Sequence, residues 1–519
     1  MIRKVLYSIF VNATIIGVLA FAAFGFSQVY AWFNTGADRS EILLLESQSI
    51  NSVYQPALTW HENKEQEGRP LEEATILKVK TDYLASHYYL SRAGLNNQIS
   101  GLDDYYTEDF RKPLIHTVSS YEDSKQIVNG TTIAHAITPR FYSTDGTLVV
   151  LSDEIISYNE ITRNGRTVSY YDTASYDVML LLEDNYWRIR HKVRSENIAR
   201  FSRVTNDKSK NKVISGSQFV VGGKPFRLKC MNYYPAANPW REMWLNFDEK
   251  VIAEDFMELQ KLGFNSVRIF VPYTLFGRNN IDREMVEKMR KTLSIAEQSD
   301  LKVIVTLFDF FLGYQVEEWT VSDRHAEQIV NALKDHPALF AWDIKNEPDL
   351  DFENIGKEKV TAWLDFIVRR IKGYDPVNLV TIGWSQPEIS HLLAEEVDFI
   401  SFHFYRNPAE LAVYLKGRKI KNKPLFAGET GMHSYDSWWY PFGKNQADQA
   451  TYTANILETL AAHQVSYGIW TLHDFKHIPS DVAGRAPWKK NPQKKYGLID
   501  RNGNKKEIYD TVFNYNHNE

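Results

Sequence analysis

The sequence of 519 residues contains a single cysteine, Cys230. An intrachain disulfide is therefore excluded, and so is a metal cluster built on cysteines. Cys230 lies in an apolar, strand-like run, which is typical of a small core residue.

Concentrated charge of one sign is also missing. The formal net charge is −5, and no block of lysine and arginine stands out. Because nucleic-acid binding depends on a basic surface, we expect no nucleic-acid partner. No glycine-rich phosphate loop follows any strand-like run, which argues against an open nucleotide-binding sheet.

Apolar and aromatic residues are plentiful. The hydrophobic fraction of 44% permits sizeable cores, and the length permits two or three domains. The 13 tryptophans and 29 tyrosines can pack a core, but such rings also stack on the faces of sugars.

The N-terminus predicts export. A basic start, Met1–Lys4, precedes Val5–Phe26, which carries no charge and is long enough for the roughly 20 residues that span a bilayer. The basic flank places the N-terminus inside and the rest of the chain outside. We expect residues 1–33 to be a transmembrane signal-anchor that holds a single-pass protein in the cell membrane. The alternative is a signal peptide cleaved after Val29-Tyr30-Ala31, which would leave a secreted or periplasmic protein.

Two folded parts are expected after this segment. Residues 34–70 are polar and mixed, which indicates a linker or stalk, and residues 71–206 combine a helical start with long β-branched strands. Asn164-Gly165 is typical of a tight hairpin turn, and Glu183-Asp184-Asn185 indicates a second one. This small α+β domain resembles the cystatin-like cone of the nuclear-transport-factor-2-like superfamily, including its closing strand Asn185–Ile189.

Residues 213–519 alternate between strand and helix patterns. Asp248 can cap a helix that Gly263 ends. The predicted strands are Arg227–Asn232, Ser266–Val271, Lys302–Phe308, Leu339–Glu347, Leu379–Trp384, Phe399–Tyr405, Pro424–Glu429 and Ser466–Leu472. Eight such units predict an α/β fold, a (β/α)8 TIM barrel, whose active site lies at the carboxyl ends of the strands.

Two motifs end predicted strands on a glutamate. They are Trp342–Pro348, which contains Glu347, and Phe426–Thr430, which contains Glu429. About two strand–helix repeats separate them, so the two carboxylates can face each other across the mouth of a barrel. A facing pair of carboxylates is the minimal equipment for cleaving a glycosidic bond.

Most of the predicted strands also carry polar or aromatic groups near their carboxyl ends. These groups are Asn232, Tyr233, Tyr234, Arg268, Asn346, Trp384, His403, Tyr405 and Trp470. Packing alone does not account for polar and aromatic groups at so many strand ends. The set therefore indicates an active site.

The segment 213–512, with Asn346-Glu347-Pro348 on the fourth strand and Glu429 on the seventh, resembles the clan A glycoside hydrolases. The similarity is greatest to family 5, which includes cellulases and mannanases, and to the barrel domain of family 2. The resemblance implies that Glu347 is the acid/base and Glu429 the nucleophile.

The resemblance also implies supporting roles. Arg268 and Tyr405 would hydrogen-bond Glu429, and Asn346 would bind the 2-hydroxyl of the sugar. His403 and Trp470 would line the subsite where cleavage occurs. One departure is visible: many family members have a histidine near the end of the third strand, where this chain reads Leu307–Phe311.

The expected function is a retaining glycoside hydrolase that cleaves a β-linked polysaccharide or oligosaccharide of glucan or mannan type. Retention predicts a separation of about 5–5.5 Å between the carboxyl groups. We expect no cofactor and no metal, since His473 and His477 lack a third ligand nearby.

Two alternatives stay open. One is a transglycosylase or polysaccharide-processing enzyme of exopolysaccharide metabolism, and the other is a non-catalytic carbohydrate-binding scaffold. The accessory domain is expected to act as a spacer or to mediate self-association.

Overall fold

The computed structural model describes residues 50–195, 212–417, 422–438, 440–479, 482 and 486–518. The chain divides into two compact units, residues 1–55 and 56–519. In the first unit the described part holds one short helix, α1 (Ile50–Val53). The predicted signal-anchor, residues 1–33, lies outside the described residues. Within those residues, no helix has the length and apolar character that crossing a bilayer requires.

The accessory domain packs three helices on one twisted sheet. The helices are α2 (Glu73–Asn96), α3 (Leu102–Tyr105) and α4 (Glu108–Asp123). The strands are β1 (Ala57–Trp60), β2 (Glu67–Gly68), β3 (Gln126–Tyr142), β4 (Leu148–Arg163), β5 (Arg166–Glu183) and β6 (Tyr186–Arg194). The sheet order is β1-β3-β4-β5-β6, with β2 also on β3. The likeness to a nuclear-transport-factor-2-like cone stays a prediction.

Both predicted hairpins are present in this sheet. Asn164 and Gly165, which join β4 to β5, have φ of 52° and 74°, and Asp184 and Asn185, which join β5 to β6, have φ of 49° and 67°. Positive φ at both central positions is the type I′ geometry that matches the twist of the strands.

The predicted linker over residues 34–70 requires a correction. Its part from Ala57 to Gly68 contributes two short strands, and β1 pairs in parallel with Ala134–Ile137 of β3. These strands have four and two residues, too few for the alternation that reveals a strand in a sequence.

The predicted (β/α)8 TIM barrel is confirmed: eight parallel strands close into a barrel. They are β10 (Lys229–Asn232), β11 (Ser266–Pro272), β12 (Lys302–Asp309), β13 (Leu339–Asn346), β14 (Leu379–Trp384), β15 (Ile400–Phe404), β16 (Leu425–Thr430) and β17 (Ser466–Ile469). The surrounding helices are α5 (Glu242–Leu245), α6 (Glu249–Lys261), α7 (Arg283–Gln298), α8 (Trp319–Leu333), α9 (Phe352–Ile355), α10 (Lys357–Tyr374), α11 (Pro408–Gly417), α12 (Gln446–Ala462), α13 (Pro487–Gln493) and α14 (Glu507–Asn518). As predicted, the side chain of Asp248 caps α6 by accepting from two backbone amides.

A small antiparallel sheet covers the amino end of the barrel. Its strands are β7 (Lys212–Ser215), β8 (Gln218–Val221) and β9 (Lys224–Phe226). Phe219 lies 5.5 Å from Phe340 and 5.1 Å from Phe399, measured between ring centroids, at the start of two barrel strands. The cleft described below lies at the opposite end, where the barrel strands have their carboxyl ends.

The accessory sheet packs against the outside of the barrel. The ring of Tyr158 on β4 lies 4.3 Å from Trp319 of α8, and Tyr158 belongs to the same apolar core as the barrel helices. Both side chains are buried, so this contact joins the two domains within one compact unit.

Candidate active site

A cleft of about 760 Å³ opens at the carboxyl ends of the barrel strands. It is lined by Tyr234, Trp240, Phe270, Asp309, Phe310, Asn346, Glu347, Tyr405, Glu429, Trp470, Val482, Lys489, Gln493 and Tyr496. Two features single it out: both glutamates of the strand-end motifs lie in it, and aromatic rings form much of its wall.

Glu429 is held by two donors. Its Oε1 accepts a hydrogen bond of 2.6 Å from Nη1 of Arg268, and its Oε2 accepts one of 2.8 Å from the hydroxyl of Tyr405. The side chain is only 6% exposed. A cation and a phenol therefore hold the carboxylate in one orientation.

Arg268 lies at the centre of a buried polar network. Its Nε and Nη2 donate to Oδ2 of Asp343 at 2.9 and 2.6 Å, in addition to the bond with Glu429. The amide oxygens of Asn232 and Asn346 accept further hydrogen bonds of 3.1 and 2.9 Å from the guanidinium. Burial alone would lower the pKa of Arg268, but Asp343 and Glu429 outweigh it and raise that pKa above its usual range.

Both asparagines thus help to orient the guanidinium. Nδ2 of Asn232 donates to the carbonyl of Gly428 at 2.8 Å, which ties Arg268 to the strand that carries Glu429. Asn346 lines the cleft directly before Glu347. Because its amide oxygen is taken by Arg268, the side chain can present its NH₂ group to a ligand.

His403 bridges the two glutamates. Its Nδ1 lies 2.8 Å from Oε1 of Glu347 and 3.7 Å from Oε2 of Glu429. Burial lowers the pKa of His403, but the charges of Glu429 and Glu347 overcome this and raise it. Ligand atoms of the three side chains all lie within 4.8 Å of one another, so the two carboxylates face each other closely.

Aromatic rings line the cleft beside the carboxylates. Trp470 lies 6.1 Å from Tyr234 and 6.0 Å from Trp240, and Tyr234 stacks on Phe270 at 5.2 Å, all between centroids. Flat rings of this kind suit the apolar faces of sugars.

Not every predicted site residue reaches the cleft. Trp384 ends β14 but is buried and packs near Phe352. Tyr233 is also buried, and it donates to Asp255 at 2.8 Å. Elsewhere in the barrel domain, Trp244 and Trp319 are core residues, whereas Trp438 is 97% exposed.

Sequence reasoning missed several cleft residues. Asp309 is the last residue of β12 and Phe310 follows it, in the stretch noted for its departure from the family, and that departure was the available signal. Lys489 and Gln493 come from α13, far along the sequence from the strand ends. Asp343 lies within the first glutamate motif, but its ion pair with Arg268 could not be deduced from spacing.

Asp309 is a buried carboxyl at the edge of the cleft. It is 7% exposed, and its Oδ2 has no hydrogen-bond partner among the described residues. Burial raises the pKa of Asp309 to about 7, although Lys345 and Arg268 oppose the shift.

We expect Asp309→Asn to stabilise the protein above neutral pH. The unfolded chain loses this proton near its ordinary pKa of about 4, whereas the folded protein holds it until about pH 7. The stability of the parent therefore falls as the pH rises through this window, by up to roughly 4 kcal/mol. Urea unfolding should show a difference in the free energy of unfolding between variant and parent that grows from pH 5 to pH 8. The raised pKa of Asp309 would be contradicted by an equal difference in the free energy of unfolding at both pH values. It would also be contradicted if the exposed control Asp335→Asn gave the same difference.

Three non-glycine residues that line the cleft have left-handed backbones. They are Trp240, Phe310 and Glu347, with φ of 55°, 59° and 46°. Conformations of this kind cost of order 1–3 kcal/mol each and persist where the surrounding structure enforces them. The backbone of Glu347 is fixed by a hydrogen bond of 2.7 Å from its N–H to the carbonyl of Gly383.

We expect Glu347→Gly to be more stable than Glu347→Ala by about 1 kcal/mol, because glycine tolerates positive φ. Both substitutions remove the carboxylate, so the difference isolates the backbone. Thermal unfolding of the two variants provides the measurement. An alanine variant as stable as the glycine variant would show that position 347 is not strained.

The two histidines after β17 lie apart from the glutamate pair. Nε2 of His473 contacts Asp255 at 2.7 Å, and Nε2 of His477 contacts Glu242 at 3.0 Å. Each histidine thus has its own carboxylate partner, and the two do not converge on one centre.

Comparison with known proteins agrees with this geometry. Residues 222–476 match the model of the family described as cellulase (glycosyl hydrolase family 5). A beta-glucuronidase from Chlorocebus aethiops is 25% identical over 193 residues, which cover 37% of this chain and 27% of the relative. A probable mannan endo-1,4-beta-mannosidase C from Aspergillus terreus is 25% identical over 137 residues, which cover 21% of this chain and 33% of the relative.

Among solved structures, an exo-beta-1,4-mannosidase from Opitutaceae bacterium strain TAV5 is similar, with a TM-score of 0.50 and 20% identity. The match covers 59% of this chain and 62% of that one, and it concerns the fold alone. The chain spans between 27% and 33% of the length of the two curated relatives above. The family match and the closed barrel confirm the resemblance that the two glutamate motifs indicated: residues 222–476 form a clan A glycoside hydrolase barrel of the family 5 type.

Proposed function

We propose that this protein is a retaining glycoside hydrolase that cleaves β-linked glycans of mannan or glucan type. The observation that carries the proposal is the close pair of Glu347 and Glu429: one carboxylate oxygen of each lies within 4.8 Å of the other. Retaining enzymes need this proximity, whereas inverting enzymes separate their carboxyl groups by about 6.5–9.5 Å to admit a water molecule.

In the first step Glu429 acts as the nucleophile. Its carboxylate, held by Arg268 and Tyr405, attacks the anomeric carbon and forms a glycosyl–enzyme ester. The bond to the leaving oxygen breaks at the same time, and Glu347 gives that oxygen a proton. The contact of Glu347 with Nδ1 of His403 fixes the orientation of the donor.

In the second step Glu347 changes from acid to base, and Glu429 changes from nucleophile to leaving group. Glu347, now a carboxylate, takes a proton from a water molecule that attacks the anomeric carbon, and the ester bond to Glu429 breaks. The sugar leaves with its original configuration because it has been inverted twice. A second sugar in place of water would give transglycosylation through the same intermediate.

The experiment is hydrolysis of a panel of defined β-linked mannans, glucans and glucuronides by the parent and by Glu347→Gln. Glucuronides belong in the panel because Lys489 lines the cleft and can pair with a uronate. We expect hydrolysis of at least one glycan by the parent, with a large loss in the variant. Binding without turnover of any member would favour the scaffold alternative instead, and longer products at high oligosaccharide concentration would favour transglycosylation.

We also propose that residues 1–33 tether the enzyme to the cell membrane with its barrel outside the cytoplasm. The support is the uncharged run Val5–Phe26 behind a basic start. Membrane fractionation of the full chain and of a chain that lacks residues 1–33 tests this. Self-association through the accessory domain stays a prediction.

A further inference from the structure

The accessory domain contains a cavity of its own, of about 340 Å³. Helices α2 and α4 form one wall, and the face of strands β3, β4, β5 and β6 forms the other. The volume lies at the small end of the range for ligand pockets. The glycosidase chemistry proposed for the barrel makes no use of this cavity.

A lysine, Lys192, lies on the sheet wall of the cavity. Nζ of Lys192 contacts Nε2 of His87 at 3.2 Å and lies 4.6 Å from the centroid of Tyr176. No ion pair joins Lys192 to a carboxylate within the described ranges of the chain. An ammonium group has three N–H donors, so donors remain for a ligand.

The groups around Lys192 keep it largely cationic. Burial lowers the pKa of Lys192 to about 8, although the charge of Asp153 opposes the shift, so the ammonium form dominates at neutral pH. Burial and the charge of Lys192 lower the pKa of His87, which is therefore a neutral acceptor. The Asp153 carboxylate accepts from the hydroxyl of Tyr83 at 2.9 Å and contacts Nδ1 of His135 at 2.7 Å.

A metal ion is a poor occupant, although ligand atoms of His87, His135 and Asp153 lie within 4.8 Å of one another. His135 uses both ring nitrogens, one on Asp153 and the other on Thr132 at 2.8 Å. The ammonium of Lys192 next to His87 would also repel a cation. The chemistry of the cavity therefore favours an anion.

The remaining wall is mostly apolar, and between the apolar side chains lie hydroxyls, the amide of Asn159 and the carboxylate of Asp172. Asp172 has its own cation, since Arg194 donates to it at 3.0 Å. The apolar side chains come from both helices and the sheet: Leu90, Leu114, Val118, Val128, Ile155 and Ala174. A fully solvated anion such as phosphate gains nothing from such a wall, whereas an apolar body loses its contact with water there.

We propose that this cavity binds a small organic acid, with its carboxylate on the Lys192 ammonium and its apolar body between the two helices and the sheet. The site is separate from the glutamate cleft, so the barrel and the accessory domain would each recognise a different ligand.

The test uses calorimetric titration of the full chain with octanoate and cinnamate, each beside its matched alcohol, octanol and cinnamyl alcohol. We expect at least one acid to bind at least about tenfold more tightly than its alcohol. Lys192→Met should remove that preference and Lys192→Arg should keep part of it. Glu429→Gln should leave it unchanged, because Glu429 lies in the other cleft.

A second pair of variants tests the location without changing the charge. Thr117 of α4 lines the cavity and is exposed to solvent. Thr117→Trp should weaken acid binding by narrowing the cavity, and Thr117→Ala should not. The proposal is wrong if neither acid binds better than its alcohol at millimolar concentration, or if Lys192→Met and Thr117→Trp both bind as the parent does.

Discussion

Glu429→Ala should lower the hydrolytic rate on the order of 10⁴-fold or more, the scale seen when a catalytic nucleophile is removed. Glu429 is the carboxylate that Arg268 and Tyr405 hold in place, and no other carboxylate among the described residues of the cleft has both partners. The substitution leaves a space of about the size of a small anion. Added azide should enter this space and restore part of the rate.

The azide products distinguish the two glutamates. With Glu429→Ala, azide replaces the nucleophile and a β-glycoside yields the α-glycosyl azide. With Glu347→Ala, azide attacks the glycosyl–enzyme intermediate and yields the β-glycosyl azide. Activated aryl glycosides provide the substrate, and proton NMR identifies the products. The same anomer from both variants would contradict the separate roles of Glu347 and Glu429.

Arg268→Met should destabilise the protein by about 3–5 kcal/mol, because it leaves Asp343 and Glu429 buried without their shared cation. Both carboxylates lie 2.6 Å from the guanidinium, and all three side chains are buried. Arg268→Lys should recover only part of the loss, since one ammonium cannot reproduce the planar contacts to both carboxylates and two asparagines.

The matched control for Arg268 is Arg406→Met. Arg406 also pairs with a carboxylate at 2.6 Å, that of Glu388, but its side chain is 43% exposed. Exposed pairs contribute about 0–1 kcal/mol. Urea unfolding of the variants gives the comparison. Equal free energies of unfolding for Arg268→Met and Arg406→Met would show that the buried network does not stabilise the fold.

The barrel could be predicted from the sequence because its strands are buried on both faces. Such strands appear as continuous apolar runs, and Leu339–Asn346 and Leu425–Thr430 were placed to within one residue at each end. The hairpins were visible for a different reason, since Asn164-Gly165 has the left-handed preference that a type I′ turn demands.

The errors have equally physical causes. Trp384 ends a strand, yet a position at a strand end does not settle which way the side chain points, and this one packs into the core. An aspartate after an apolar run is common at turns, so Asp309 does not stand out by its residue type. Its burial and the resulting pKa depend on Arg268, Glu429 and Lys345, which come from other strands.

The cavity of the accessory domain could be predicted from the sequence even less than the position of Asp309. Lys192 lies in a strand of alternating residues, where a lysine is common. The sequence gives no indication that the side chain of His87, on a helix, contacts it. Contacts between residues far apart in the chain decide its chemistry, so only the folded arrangement reveals it.

The central claim is that Glu347 and Glu429 act together by double displacement. Proton NMR of the first sugar released from a β-glycoside tests it most directly, recorded before mutarotation mixes the anomers. The spacing of the two carboxylates predicts that the β-anomer is formed first. Initial release of the α-anomer would contradict the account.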